Sequence, residues 1–199
     1  MTGIFESHAH YEDEAFDEDR DVLLKSLPEN GIKYVVDVGS SIDTCHKIIE
    51  LIPKWDYMYG ALGFHPEEIR TVTDEDMEWL RKEAAANGKI VAIGEIGLDY
   101  YWDKDNKAQQ KEFFERQLVL AKELKKPVIV HSREAALDTY EVIKASADRD
   151  NSGVIHCFSY SKEEAKKYLD MGFYIGIGGV LTFKKAAKIR EVVEYVPID

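Results

Sequence analysis

Five histidines and one glutamate carry the chemistry that this 199-residue sequence suggests. His8 and His10 stand two apart after a short apolar run, so on a strand both imidazoles leave by one face and can share a cation. Glu95 sits in Val91-Ala92-Ile93-Gly94-Glu95-Ile96-Gly97-Leu98-Asp99, a run too short for a helix and rich in Val and Ile, which reads as a buried strand. His65, His131 and His156 each follow another such run. Imidazole suits zinc, and a carboxylate can bridge two ions. His8 and His10 would hold one divalent cation, His131 and His156 a second, with Glu95 between them as the catalytic group. Two cations about 3.5–4 Å apart polarise a phosphoryl group, activate a water and neutralise the leaving oxygen. Singly, a strand-end histidine or glutamate is more often solvated or part of the core. The joint placement is what points to metal.

The elements that must position these side chains alternate strictly. Strands are read at residues 3–7, 33–38, 57–62, from 91 into Glu95, 128–130, 153–155 and 173–177. Helices are read at roughly 19–29, 42–52, 74–86, 106–125, 134–147 and 161–170, with a last one running to about 195. Ser161 caps the sixth, and Glu164 is placed for a reciprocal capping box. Seven strand-then-helix units with strands apolar on both faces require a parallel sheet covered by helices. An open sheet gathers its ligands near one switch point. Here His8, His10, His65, Glu95, His131 and His156 follow strands one, three, four, five and six, and only a sheet curled into a barrel brings them together. His46, inside a helix, reads as surface. The fold expected is an α/β TIM barrel forming a single domain over residues 1–199.

Composition is that of a globular protein, with 45% hydrophobic and 32% charged residues. The formal charge is −12, of which residues 1–21 supply −7 through eight acids against one base, Arg20. Such a surface argues against a nonspecific basic nucleic-acid binder but not against an enzyme reaching phosphates through cations. Two distant cysteines suggest no disulfide framework. No signal sequence or membrane-length apolar run is seen, so a cytoplasmic location is the default.

Five motifs then carry a resemblance: Glu6-Ser7-His8-Ala9-His10, Leu62-Gly63-Phe64-His65-Pro66, Gly94-Glu95-Ile96-Gly97-Leu98-Asp99-Tyr100, Pro127-Val128-Ile129-Val130-His131-Ser132-Arg133 and His156-Cys157-Phe158-Ser159. In this order and spacing the sequence resembles the TatD family of metal-dependent hydrolases over essentially its whole length. The resemblance implies a barrel phosphodiesterase, typically a deoxyribonuclease, using two divalent cations (Mg, Mn or Zn) and acting on DNA or another phosphodiester. It implies metal ligation by His8, His10, Glu95, His131 and His156, with His65 and Arg133 near the substrate phosphate. A structural salt bridge is the alternative for Arg133, and Asp99 reads as a loop-fixing acid. Glu6 stands where the family usually has Asp, and Tyr160 where Gly commonly follows. The resemblance also implies an eighth strand bearing a Thr-Asp pair, whereas this sequence stops at Val196-Pro197-Ile198-Asp199. A C-terminally incomplete barrel, seven of eight units, is therefore expected, with unpaired edges prone to self-association and weakened hydrolysis. The alternatives are an inactive metal-binding remnant and an amidohydrolase-type deaminase or amidase. The latter usually has a modified lysine where Glu95 stands. Tyr100, Tyr101 and Trp102 either pack on the barrel rim or stack unpaired bases. No membrane or obligate protein partner is expected.

Overall fold

Strands that are apolar on both faces need a second layer on each side, and the chain supplies it by curling the sheet on itself inside a coat of helices. The computed structural model describes residues 3–146 and 152–198. Its strands are β1 (Ile4–Ala9), β2 (Ile32–Val38), β3 (Met58–Leu62), β4 (Ile90–Asp99), β5 (Val128–Arg133), β6 (Gly153–Ile155) and β7 (Tyr174–Ile175). They lie in sequence order and all neighbours are parallel. The helices are α1 (Arg20–Ser26), α2 (Ile42–Leu51), α3 (Asp74–Ala86), α4 (Lys107–Leu124), α5 (Ala136–Ser146), α6 (Lys162–Asp170) and α7 (Ala187–Tyr195). This is the α/β TIM-barrel hydrolase architecture expected, seen as a curled seven-stranded sheet. Among the described residues β1 and β7 do not pair with each other.

The strand ends that carry the candidate site run further than their sequences suggest. β1 continues through His8 to Ala9, and β5 takes in His131, Ser132 and Arg133. β4 passes Glu95 and reaches Asp99, because Leu98 and Asp99 find parallel partners in Ser132 and Arg133. The β4–β5 ladder shifts register between Ile93 and Ile96, the kind of irregularity that re-aims a side chain beside a site. Glycine is needed twice there. A Cβ on Gly94 would lie 2.6 Å from that of Ile129, and one on Gly97, at φ +147°, would lie 2.0 Å from the His131 carbonyl oxygen. β7 is only two residues long, with β6 as its one paired neighbour among the described residues.

The larger core fills the space between sheet and helices, with Leu62, Phe64, Ile93, Ile96 and Val130 meeting Ile48, Phe113, Phe114, Leu118 and Ile143. A smaller cluster, Val36, Val38, Ala61, Ala92 and Ile129, is separate from it. Side chains alternate along a strand, so Val36 and Val38 share one face of β2 while Val35 joins the larger core from the other.

Capping departs from the sequence reading at α6. Thr73 and Asp76 form a full capping box at α3. At α6, Ser161 accepts from the Glu164 amide at 3.4 Å, but the Glu164 carboxylate turns forward to Lys167 Nζ at 2.7 Å. The reciprocal half expected of it is lost to a nearby cation. The acidic loop after β1 folds around its only base: Arg20 donates to the Tyr11 and Asp13 carbonyls and to Asp17 Oδ1.

Two buried amides on α4 fix the loops at the mouth of the sheet. Gln117 accepts from the Phe64 amide (2.7 Å) and donates to the Phe64 carbonyl (3.1 Å). Gln110 accepts from the Asp99 amide (2.9 Å) and donates to the carbonyls of Asp99 (2.9 Å) and Asp103 (2.8 Å). Seven residues apart, they lie two helical turns from each other on one face. Gln117→Leu keeps the volume and strands both Phe64 groups, each unsatisfied group costing about 1–3 kcal/mol. The expected loss is about 2–4 kcal/mol, a fall of roughly 5–15 °C in a thermal melt followed by circular dichroism. An unchanged melting temperature would mean that water replaces the amide freely.

Candidate metal centre

Curling brings the C-terminal ends of distant strands into contact, and the imidazoles report it. His8, on β1, stacks on His156, just past β6, with ring centroids 3.5 Å apart and planes 12° from parallel. His8 Nε2 lies 3.1 Å from His10 Nε2 and 3.3 Å from Glu95 Oε2. The other Glu95 oxygen lies 3.1 Å from His131 Nδ1, and His131 Nε2 lies 3.0 Å from Asp99 Oδ2. His65 packs edge-on to His131 with centroids 4.4 Å apart.

Two sets of donor atoms converge within 4.8 Å: His8, His10 and Glu95, and His65, Glu95 and His131. Glu95 belongs to both. His156, which the sequence reading pairs with His131, stacks on His8 beside the first set. A cleft of about 480 Å³ lined in part by His10, Ser40, His65, Glu67 and Glu95 opens beside them.

Electrostatics leaves these groups ready for a cation. Burial alone would raise the Glu95 carboxyl, which is 6 % exposed, but hydrogen bonds from His131 and His8 hold it well below the usual carboxylate range. Burial likewise works against a charged His131, yet Glu95 and Asp99 on its two nitrogens raise its pKa. His65 and His156 are pushed down to about 4, first by burial and then by His131 and His8 respectively. Both are therefore neutral near pH 7, the form that ligates metals. Two imidazole nitrogens and a carboxylate oxygen face one small volume beside His8 Nε2, and a single proton satisfies that set only in part. The donor chemistry fits a divalent ion such as zinc or manganese.

Against this geometry, comparison with known proteins is direct. The family described as TatD related DNase matches residues 5–199. The chain belongs to the TatD family. It is 40% identical over 196 residues to the Bacillus subtilis protein named "Uncharacterized metal-dependent hydrolase YabD", covering 98% of this chain and 76% of that protein. It is 30% identical over 185 residues to the Cronobacter sakazakii protein named 3'-5' ssDNA/RNA exonuclease TatD, covering 92% of this chain and 70% of that one. The crystal structure of the TatD homologue YjjV from Escherichia coli superposes with a TM-score of 0.91 at 29% identity, over 98% of this chain and 75% of that one. A metal-dependent hydrolase of the TatD family is thus the coarse description of this chain.

Several residues at the TatD site carry no motif of their own. Glu12, 4 % exposed, places Oε1 3.7 Å from His10 Nδ1, and this contact raises the His10 pKa against the effect of burial. Asp37, fully buried on β2, accepts from the Tyr11 amide at 2.7 Å. Burial, with Glu12 nearby, pushes its carboxyl up to about 7. A carboxylate inside the run Lys33–Val38 was the visible signal for it; Glu12 was hidden among the acids around it. Asp99 Oδ1 accepts from the amides of Tyr101 (2.8 Å) and Trp102 (2.9 Å) while Oδ2 faces His131. Arg133 places its guanidinium 4.0 Å from the Tyr101 ring centroid. Among the described residues it forms no ion pair, so the salt-bridge alternative is not seen.

A ligand held by the native state alone stabilises it by mass action, by about 2.7 kcal/mol at a hundred times its Kd. Saturating Mn²⁺ or Zn²⁺ should therefore raise the melting temperature by several degrees, chelator should reverse the gain, and Glu95→Gln should lose most of it. A metal-dependent increment that survives in Glu95→Gln would place the ions elsewhere.

Proposed function

We propose that this chain hydrolyses phosphodiesters, most specifically DNA, with two divalent cations, of Mg, Mn or Zn, held on either side of Glu95. The observation that carries this reading is the Glu95 carboxylate itself, with one oxygen facing His8 and the other His131. His8 and His10 would hold one ion with Glu95. His131 would hold the second with Glu95, and His156 and His65 are the neutral imidazoles adjoining these sets. Bound there, the ions supply a polarised phosphoryl group and a water acidic enough to attack near neutral pH.

The remaining tasks fall to the protein. Glu95, ionised throughout the neutral range, fixes the spacing between the two histidine sets. Asp99 holds His131 in orientation through Nε2, as carboxylates behind metal-binding imidazoles do. The Glu67 amide donates to His65 Nδ1 at 3.3 Å, so neutral His65 carries its proton on Nε2 and can donate it to a phosphoryl oxygen. Arg133 lies two residues beyond His131 on β5, hence on the same face of the strand. Its guanidinium edge is available for a second phosphoryl oxygen. Attack of water on phosphorus and departure of the sugar oxygen give a phosphomonoester and an alcohol.

The test is hydrolysis of a single-stranded oligodeoxynucleotide. Activity should vanish with chelator and return with a divalent ion, and Glu95→Ala should lower it by about a hundredfold or more. Activity that resists chelator, or a fully active Glu95→Ala protein, would end the two-metal reading.

A further inference from the structure

We propose that Lys184, Lys185 and Lys188 form an anchoring patch for the phosphates of a polynucleotide strand beyond the one held at the metal centre, which makes longer strands the better substrates. The inference rests on the phosphodiesterase reading above and names the surface over which the rest of the substrate lies.

The chain carries a net charge of −12, but the charge is unevenly spread. Residues 171–190 are the longest stretch of the sequence without an acid, and they hold four bases, Lys184, Lys185, Lys188 and Arg190. Arg190 is committed to the loop itself, its Nη2 donating to the Phe183 carbonyl at 2.7 Å. The three lysines are exposed, and among the described residues none of them forms an ion pair. Lysines on the neighbouring α6 behave differently: Lys166 meets Asp170, and Lys167 meets Glu164 at 2.7 Å. Three unpaired ammonium groups close together in sequence give an acidic protein a local positive potential.

The patch rises on the face that holds the histidines. β7 pairs with β6 through Ile175 and Ile155, and the chain beyond β7 stays beside the residues that follow β6. The Gly176 carbonyl accepts from the Phe158 amide at 2.8 Å, and a Cβ on Gly178 would lie 2.8 Å from Cys157 Sγ. His156 immediately precedes both of these contacts. A 3₁₀ turn over Gly179–Thr182 then leads to Lys184 and Lys185, and Lys188 lies in the first turn of α7. The Phe183 amide donates to the Val180 carbonyl (3.0 Å) and the Ala186 amide to the Phe183 carbonyl (3.1 Å), so the backbone carrying the lysines is ordered. In a barrel of this kind the loops that follow the strands share one face.

The occupant follows from the sign of the charge around that mouth. The loop after β1 rises on the same face and exposes Glu14, Asp17, Glu18 and Asp19. A chain of phosphates reaching the metal centre is repelled on that side and attracted over the lysines. Lysine contacts to phosphate oxygens position a strand without reading its bases. A substrate with one phosphodiester occupies the metal centre and leaves the patch empty, whereas a strand fills both.

The test compares a long single-stranded oligodeoxynucleotide with a dinucleoside monophosphate. Each phosphate contact to a single strand contributes about −0.7 to the log–log salt slope, so three contribute about −2. The ratio of kcat/KM for the long strand to that for the short compound should therefore fall about twentyfold between about 50 and 200 mM KCl. In the combined Lys184→Gln, Lys185→Gln, Lys188→Gln protein this ratio should stay constant within about twofold over the same range. A variant that keeps the full salt-dependent preference overturns the proposal. The control removes three exposed lysines near the other ends of the strands, Lys25, Lys33 and Lys125, again as Gln. It should keep the wild-type ratio; an equal loss there would assign the effect to net charge and not to the patch. If neither compound is cleaved, the phosphodiesterase reading fails and binding alone decides. Anisotropy of the labelled oligonucleotide in chelator should then show salt-sensitive binding by wild-type protein that the Lys184, Lys185, Lys188 variant lacks. Equal binding by the two proteins, or binding of phosphatidylserine vesicles without the oligonucleotide, removes the proposal.

Discussion

Taking a carboxylate out of water is unfavourable by several kcal/mol unless donors or cations surround it. Glu95 is almost wholly buried, and nothing on its own strand can compensate for that: Gly94 and Ile96 flank it in β4. The compensation comes from His8, which belongs to the first strand, and from His131, which belongs to the fifth. Those three strands can contribute to one contact only if the sheet curls. The curl is also what lays His8 against His156 at a ring separation of 3.5 Å. A metal-binding site and the curvature of the fold are here two descriptions of one electrostatic requirement.

Around that contact the chain uses ordinary polar groups as rigid supports. Gln110 and Gln117 bind backbone groups rather than side chains, so the loop bearing His65 and the end of β4 at Asp99 are registered against the longest described helix, α4. Asp99 couples the same loop to His131. The loop after β1 has a cation at its centre, Arg20, which converts a run of repelling acids into an ordered turn. Glu12 emerges from that turn against His10. Gln117, Asp99 and Glu12 in this way help to fix the positions of His65, His131 and His10.

Two side chains that depart from the pattern the resemblance implies are accommodated by bonds of their own. Glu6, in place of the usual Asp, accepts from the His8 amide through Oε1 at 3.1 Å. Tyr160, in place of Gly, shares a hydrogen bond of 3.0 Å with Ser132 Oγ and accepts from the Ala135 amide at 3.2 Å. It thereby braces the end of β5 directly behind His131. Neither larger side chain intrudes on the histidine cluster. Each takes a structural task at its edge.

By itself the sequence determined the alternation of strands and helices, the limits of α3 and β6, and the placing of His8, His10, His65, His131 and His156 towards the C-terminal ends of strands; Glu95, read at such an end, lies inside β4. These are consequences of local periodicity and of burial, which are written residue by residue. It did not determine which imidazoles share a ligand set. His131 faces Glu95 and Asp99 with His65 packed against it, and His156 stacks on His8. Such pairings depend on strand register and sheet curvature, which sum contributions from the whole barrel. Nor did it reveal Glu12, Asp37, Gln110 or Gln117, polar residues whose types are common on surfaces and whose burial only the packed elements around them create. Tyr101 and Trp102 show the same division: their aromatic character is in the sequence. That they stand exposed, with Arg133 across them, was decided by the hydrogen bonds Asp99 makes in the folded chain.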